Sequence, residues 1–287
     1  MTKSSASFPL RQLVPFGLEL EIDLRKPLSA EEQREFRDLF YKNSLFVFRN
    51  QKLSMEDHEC VLGYLGNVLK AKGEYRMIST DGNLGAGALA YHSDLSFTEQ
   101  PFKVISLHAL EVNDGQTYTN YVNSIRALEH LPQRLHEKLA GSTALACINV
   151  HQSERQLPFN PPSMLPQITR PAIIPHPETS APVLYISELQ TTRIDGYSQP
   201  ESDALINELF KYLYAADNIY EHRWYNGDLV IWDNIALQHA RPDMTGCIPR
   251  VLQRVCVADK TFFELCPQFD LEDPRVKKWA AGEPLAI

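Results

Sequence analysis

Several class-defining features are scarce in this chain or missing from it. Its 287 residues include five cysteines, Cys60, Cys147, Cys247, Cys256 and Cys266, an odd number with no C-x-x-C pair. That argues against a zinc knuckle or a disulfide framework and fits a reducing compartment. No eighteen apolar residues run together, and the opening "MTKSSASFPL" lacks an apolar core of signal-peptide length, so neither a spanning helix nor a secretory leader is expected. The expected location is the cytoplasm. Basic runs are missing too: 28 lysines and arginines stand against 36 acids, a formal charge of −8. This argues against nucleic acid or an anionic membrane as partner. A small-molecule ligand is expected, and association into a homo-oligomer is left open. Internal repeats and low-complexity tracts are not found.

The residues that are present alternate in the manner of strands, with helices added. "FGLELEIDL" and "LFVFRNQ" read as strands, each followed by a helix with a capping signature, Ser29 before Glu32 and Ser54 before Asp57. Phe36, Leu39 and Phe40 share one helical face, and Val61, Leu62 and Leu65 point inward from the second helix. Beyond residue 90 strands dominate, in "FKVISLHALEV", "TALACINVHQS", "PVLYISEL", "HRWYNGDLVIWDN" and "RVLQRVCVAD", with turn chemistry at Asn113-Asp114-Gly115 and Asn226-Gly227-Asp228. Two helices interrupt them, "SIRALEHLPQRLHEKLAG" and "PESDALINELFKYLYAAD", the second with Leu205, Leu209 and Leu213 on one face. The pattern predicts a mainly β, α+β fold, a barrel or sandwich with added helices, as one domain over residues 1–287. Residues 157–182 hold eight prolines in 26 positions. That segment is expected to lack regular structure and to act as a lid-like insertion.

Candidate chemistry begins at "YHSDLSF". If the segment is extended, His92 and Asp94 leave the same face with α-carbons about 6–7 Å apart, close enough to share one ion. A His-x-Asp triplet is common, so a third ligand is required. Most of the nine histidines read as polar groups in helices or strands; His239 differs because it follows the strong strand "GDLVIWDN" and precedes "RVLQRVC". There the period of two puts Arg250, Leu252 and Arg254 on one face, the arginines about 13 Å apart. Two guanidiniums aimed inward call for anions; facing solvent, they would pair with surface acids.

"YHSD", "WDNIALQHAR" and "PRVLQR" together resemble the TauD/TfdA-type iron(II)- and 2-oxoglutarate-dependent dioxygenases, whose pattern is H-x-D, a distant histidine, and arginines eleven and fifteen residues after it. His92, Asp94, His239, Arg250 and Arg254 match all five positions. The resemblance continues in "LFVFRNQ", "GQTYTN", "PHPET" and "HRWYNGDLVIWDN", in order along nearly the whole chain. Tyr91 departs from the tryptophan of many members, and "KAKGEYRMISTDGNLGAGALA" carries no recognisable substrate signature.

The resemblance implies a double-stranded β-helix, or jelly roll. His92, Asp94 and His239 would form the facial triad for Fe(II). Arg250, with the hydroxyl of Thr117, would hold the far carboxylate of 2-oxoglutarate. The implied reaction consumes O2, converts 2-oxoglutarate to succinate and CO2, and hydroxylates a small organic substrate; Asp94 argues for oxygen transfer over halogenation. Arg254 is expected to meet an anionic group of that substrate, a carboxylate or sulfonate, or else to pair with an internal acid. Phe97 and apolar residues of the proline-rich segment would face its apolar body. The alternatives are desaturation, cyclisation or oxidative C–heteroatom cleavage at the same centre, a jelly-roll module that only binds a metal or small anion, and a zinc hydrolase.

Overall fold

The computed structural model describes residues 8–70, 77–79, 86–151, 155, 157–247, 249–270 and 272–280. Its larger sheet has seven strands in the order Leu10–Gln12, Leu18–Leu20, Leu45–Phe48, Leu229–Asp233, Val104–Val112, Arg250–Val257 and Met77–Ser79. The facing sheet has four, Ile219–Arg223, Tyr118–Asn123, Leu237–Arg241 and Leu89–His92. Neighbouring strands are far apart in sequence because the chain crosses repeatedly between the two sheets, as a jelly roll requires.

Period-two alternation divides the apolar residues between two cores. Leu252 and Cys256 join Val47, Leu107 and Trp232 in a cluster between the sheets, which also takes Tyr121, Tyr220 and Leu237 from the facing sheet. Val255 and Val257 point the other way, joining Phe46, Phe48, Leu229 and Ile231 in a second cluster. That outer face is covered by the helices Ala30–Asn43 and Met55–Gly63, which contribute Phe36, Phe40, Val61 and Leu62. Both helices begin with the expected capping boxes, Ser29 with Glu32 and Ser54 with Asp57. The turn before Leu229 needs its glycine: Gly227 has φ of +82°, and a Cβ there would lie 2.9 Å from the Gln51 carbonyl oxygen.

Two expectations are corrected here. Residues 157–182 do form strands: Gln167–Pro171 pairs with Thr143–Cys147, and Ile173–Pro175 pairs with Pro182–Leu184. Prolines are tolerated because they sit at strand ends, Pro171 opposite Thr143 and Pro175 opposite Pro182, where no ladder donor is needed. "SIRALEHLPQRLHEKLAG" is two helices, Ser124–Glu129 and Gln133–Leu139, because Pro132 breaks the first and serves as N-cap of the second. These helices pack with Gln199–Leu213, whose Leu205, Leu209 and Leu213 are buried as the periodicity predicts. The strand expected through "TALACINVHQS" stops at Cys147, and residues 152–154 lie outside the described residues. So do residues 71–76 and 80–85 of the segment without a substrate signature.

A polar pocket interrupts the outer core. His58 is fully buried, with Nδ1 3.0 Å from Gln253 Oε1 and Nε2 2.7 Å from Ser106 Oγ. Burial lowers its pKa from 6.5 to about 3, against the pull of Gln253. Between those values the unfolded chain binds a proton that the folded chain refuses. Stability is therefore fully present above about pH 6.5 and is lost as the pH falls, by up to about 1.4 kcal/mol per unit. The urea midpoint of wild type is expected to fall between pH 6.5 and 4.5 more steeply than that of His58→Gln. Parallel slopes would place the titrating group elsewhere.

Candidate active site

His92 closes the strand Leu89–His92 and stands directly opposite His239 on the neighbouring strand, their ring centroids 4.1 Å apart. Asp94 reaches the same place by a different route from the expected one. The strand ends at His92, and Asp94 opens a turn in which Leu95 takes the left-handed φ of +60°. Buried Asn234 holds that turn. Its Oδ1 accepts from the Asp94 amide at 2.8 Å, and its Nδ2 donates to the Asp94 and Phe102 carbonyls at 3.0 and 2.8 Å. Ser93 Oγ donates to the Leu237 carbonyl at 3.1 Å, tying the turn to the His239 strand.

The three side chains converge, each offering one ligand atom, with all three atoms within 4.8 Å of one another. His92 Nδ1 donates to the Ala90 carbonyl at 2.8 Å, which leaves the Nε2 lone pair facing inward. That Nε2 lies 3.2 Å from Asp94 Oδ1, and His239 Nε2 lies 3.8 Å from the same oxygen. A lone pair facing a carboxylate oxygen at 3.2 Å is repulsive unless positive charge lies between them, as a proton or a metal cation. Burial and the His92 imidazole push His239 down to about 3, against the pull of Asp94, so it is neutral at pH 7. Burial opposes ionisation of Asp94, but Arg254 and the two imidazoles outweigh it and hold the carboxyl below the ordinary range. Two imidazoles and one carboxylate are the donor set of a facial triad, and the site fits a divalent transition metal.

Arg254 has an internal partner. Its Nη2 lies 3.4 Å from Asp94 Oδ2 and its guanidinium sits over the Phe102 ring at 5.5 Å. This contact with an internal acid is one of the two roles left open by the sequence. Arg250, inward on the same strand, has no ion-pair partner among the described residues. It is 3 % exposed, and its Nε is buried without a hydrogen bond. Burial and then the charge of Arg241 bring it down to about 9, so it remains a cation at neutral pH. Such a group in an apolar surround calls for an anion.

Thr117 is fully buried and its Oγ1 has no hydrogen-bond partner among the described residues. Along Tyr118–Asn123 the inward positions continue with Thr119 and Tyr121, and Tyr121 lies opposite His239. Thr117 is thus about 13 Å along the strand from Tyr121, at the end where Arg250, its expected companion, pairs with Val112 of the strand that leads into the preceding turn. Phe97 is buried edge-to-face on Phe262, with ring centroids 6.3 Å apart. His222, another buried histidine of the four-stranded sheet, is engaged by Asp228 at 3.1 Å.

Several contributors escaped sequence reasoning. Asp233 Oδ2 accepts from His176 Nε2 at 2.8 Å, while its Oδ1 accepts the Ile235 and Ala236 amides, so the proline-rich segment is bonded to the turn that delivers His239. Trp232 and Tyr121 flank His239, with ring centroids 4.9 and 6.4 Å away. The alternation of "TYTNY" and the polar pair closing "VIWDN" were the available signals.

Comparison with known proteins supplies the class and then the family. The 2,4-dichlorophenoxyacetate dioxygenase of Cupriavidus pinatubonensis, named as alpha-ketoglutarate-dependent, is 26% identical over 88% of this chain and 96% of its own. The alpha-ketoglutarate-dependent sulfate ester dioxygenase of Pseudomonas putida is 28% identical over 84% of this chain and 86% of its own. A taurine dioxygenase structure from Burkholderia xenovorans shares the fold with a TM-score of 0.74, at 24% identity over 88% and 92% of the two chains. The protein is a dioxygenase. It belongs to the family described as "Taurine catabolism dioxygenase TauD, TfdA family", whose profile matches residues 7–256.

Proposed function

We propose that the protein is an iron(II) enzyme that couples conversion of 2-oxoglutarate and O2 to succinate and CO2 with hydroxylation of a small organic acid. The observation that carries this reading is Arg250, a buried cation without an acid partner among the described residues, set inside the same barrel as two imidazoles and a carboxylate. A metal alone would explain the triad and leave Arg250 unexplained; an anionic cosubstrate explains both.

In this reading His92, Asp94 and His239 hold the iron, which when bound supplies the oxygen chemistry. Arg250 neutralises the far carboxylate of 2-oxoglutarate and so orients it. Arg254 and Asn234 fix Asp94 from its carboxylate and backbone sides. The proline-rich segment, bonded through Arg170 to the Thr98 carbonyl and through His176 to Asp233, serves as a cover to the site. Relatives named for 2,4-dichlorophenoxyacetate and sulfate esters support a carboxylate, sulfonate or sulfate ester with an apolar body as substrate. A cytoplasmic enzyme acting as one unit fits the five free cysteines. Among the described residues no helix is long and apolar enough to cross a membrane.

The test is succinate release from 2-oxoglutarate. It is expected to require added iron(II) and oxygen, and to rise when a small carboxylate, sulfonate or sulfate ester is supplied. No succinate under any of these conditions would overturn the assignment of cosubstrate and metal together.

A further inference from the structure

We propose that His176 is a positioning residue for the metal centre, acting through Asp233 to lock the turn from which Asp94 and His239 are both held. This rests on the metal reading above and extends it to a side chain of the proline-rich segment. The turn 233–236 carries the chain from the seven-stranded sheet to the four-stranded one. Asn234 within it holds the Asp94 backbone, and the strand that follows, Leu237–Arg241, carries His239. A shift of this turn therefore moves two ligands at once. Asp233 braces it. Its carboxylate, 1 % exposed, accepts the Ile235 and Ala236 amides on Oδ1 at 2.9 and 3.1 Å and His176 Nε2 on Oδ2 at 2.8 Å.

The tautomer of His176 follows from its other nitrogen. Nδ1 lies 3.2 Å from the amide nitrogens of both Glu178 and Thr179 and accepts from them, so the ring proton sits on Nε2 and is donated to Asp233. The donor is itself fixed: the His176 amide donates to the Ala181 carbonyl and its carbonyl accepts from the Ser180 amide, each at 2.8 Å. Without the imidazole, Oδ2 would lose the hydrogen bond that the described residues give it, and a buried carboxylate left short of a donor is costly. It must rotate or draw in water, and either releases the two amides that shape the turn. Loss of such an outer partner at a metal site typically weakens metal binding about ten- to a hundredfold.

Two substitutions separate the two ends of the ring. His176→Gln places an amide nitrogen near Nε2 and keeps a donor for Asp233. His176→Asn places a carbonyl oxygen near Nδ1, keeps an acceptor for the Glu178 and Thr179 amides and falls short of Asp233. Metal-free wild type and both variants are titrated calorimetrically with Mn(II). His176→Asn is expected to bind about tenfold or more weakly than wild type, and His176→Gln within about threefold of it. A residue that only shaped its own hairpin would show its loss in melting temperature, more in His176→Gln than in His176→Asn, and leave the Mn(II) affinity of both unchanged.

A second measurement needs no variant and decides alone if His176→Asn does not fold. In wild type carrying nitrogen-labelled histidine, solvent exchange of the His176 Nε2 proton is followed by NMR without metal and with Zn(II). Coupling is reciprocal, so a bond that favours the metal is favoured by it, and Zn(II) should slow this exchange about tenfold or more. The ring proton of His58, whose hydrogen bonds run to Gln253 and Ser106 rather than to the turn, is the reference and should slow by a smaller factor. Wild-type Mn(II) affinity in His176→Asn would overturn the proposal. So would equal weakening in both variants, or Zn(II) slowing the His176 proton no more than the reference. Failure of wild type to bind Mn(II) would instead overturn the metal reading itself.

Discussion

Asp94→Asn is expected to abolish turnover and to lower divalent-metal affinity by more than about a hundredfold, since even the outer partners of a metal ligand are commonly worth ten- to a hundredfold. The substitution keeps the size of the side chain and removes the charge that His92 Nε2 and His239 Nε2 face at 3.2 and 3.8 Å. Backbone placement should survive, because Asn234 grips the amide and carbonyl of residue 94 rather than its carboxylate. The fold should survive as well, for the apolar clusters between and outside the sheets do not include Asp94. Calorimetric titration with Fe(II) or Mn(II) reads the affinity, and far-ultraviolet circular dichroism reads the fold. Wild-type metal affinity in the variant would mean that the triad is not the metal site.

Arg250→Ala should raise the 2-oxoglutarate concentration needed for half-maximal succinate formation roughly a hundredfold, the loss of one charge-assisted pair. Arg250→Lys should recover only part of it, because an ammonium cannot reproduce the guanidinium fork. A second consequence has the opposite sign. Arg250 is a buried cation without a carboxylate partner among the described residues, so Arg250→Met should stabilise the protein against heat when no cosubstrate is present. Wild type should gain more stability than the variant on adding 2-oxoglutarate. An unchanged cosubstrate requirement in both the alanine and lysine variants would assign the far carboxylate to another cation.

The readable parts of the sequence were those governed by local periodicity. Arg250, Leu252, Arg254 and Cys256 alternate with Val251, Gln253, Val255 and Val257, and the structure places Leu252 and Cys256 in the cluster between the sheets and Val255 and Val257 in the outer one. The capped helices were equally legible, because Ser29 and Ser54 meet their partners three residues away. Features that depend on distant partners were not. The turn at Asp94 needs a left-handed Leu95, which leucine itself does not signal, and it is held by Asn234, 140 positions away. Arg254 could have faced a substrate or an acid, and only the assembled barrel brings it to Asp94. The proline-rich strands were hidden because proline count says nothing about where in a ladder each proline falls. The unsatisfied hydroxyl of Tyr121 appears only after every neighbour has been assigned.

The two facing sheets carry the opposite ends of the site. His92 and His239 belong to the four-stranded sheet, and Arg250 to the seven-stranded one. Facing sheets stand about 10 Å apart, a distance set by the side chains packed between them. The barrel therefore works as a caliper whose jaws are whole sheets. Its setting cannot be adjusted by changing one side chain at either end, since a shorter or longer diacid would require the interior around Trp232, Tyr121 and Leu252 to be repacked. If 2-oxoglutarate spans from the triad to Arg250 as proposed, the length of the acceptable cosubstrate is written into the scaffold, which leaves the loops at the rim free to change what is oxidised.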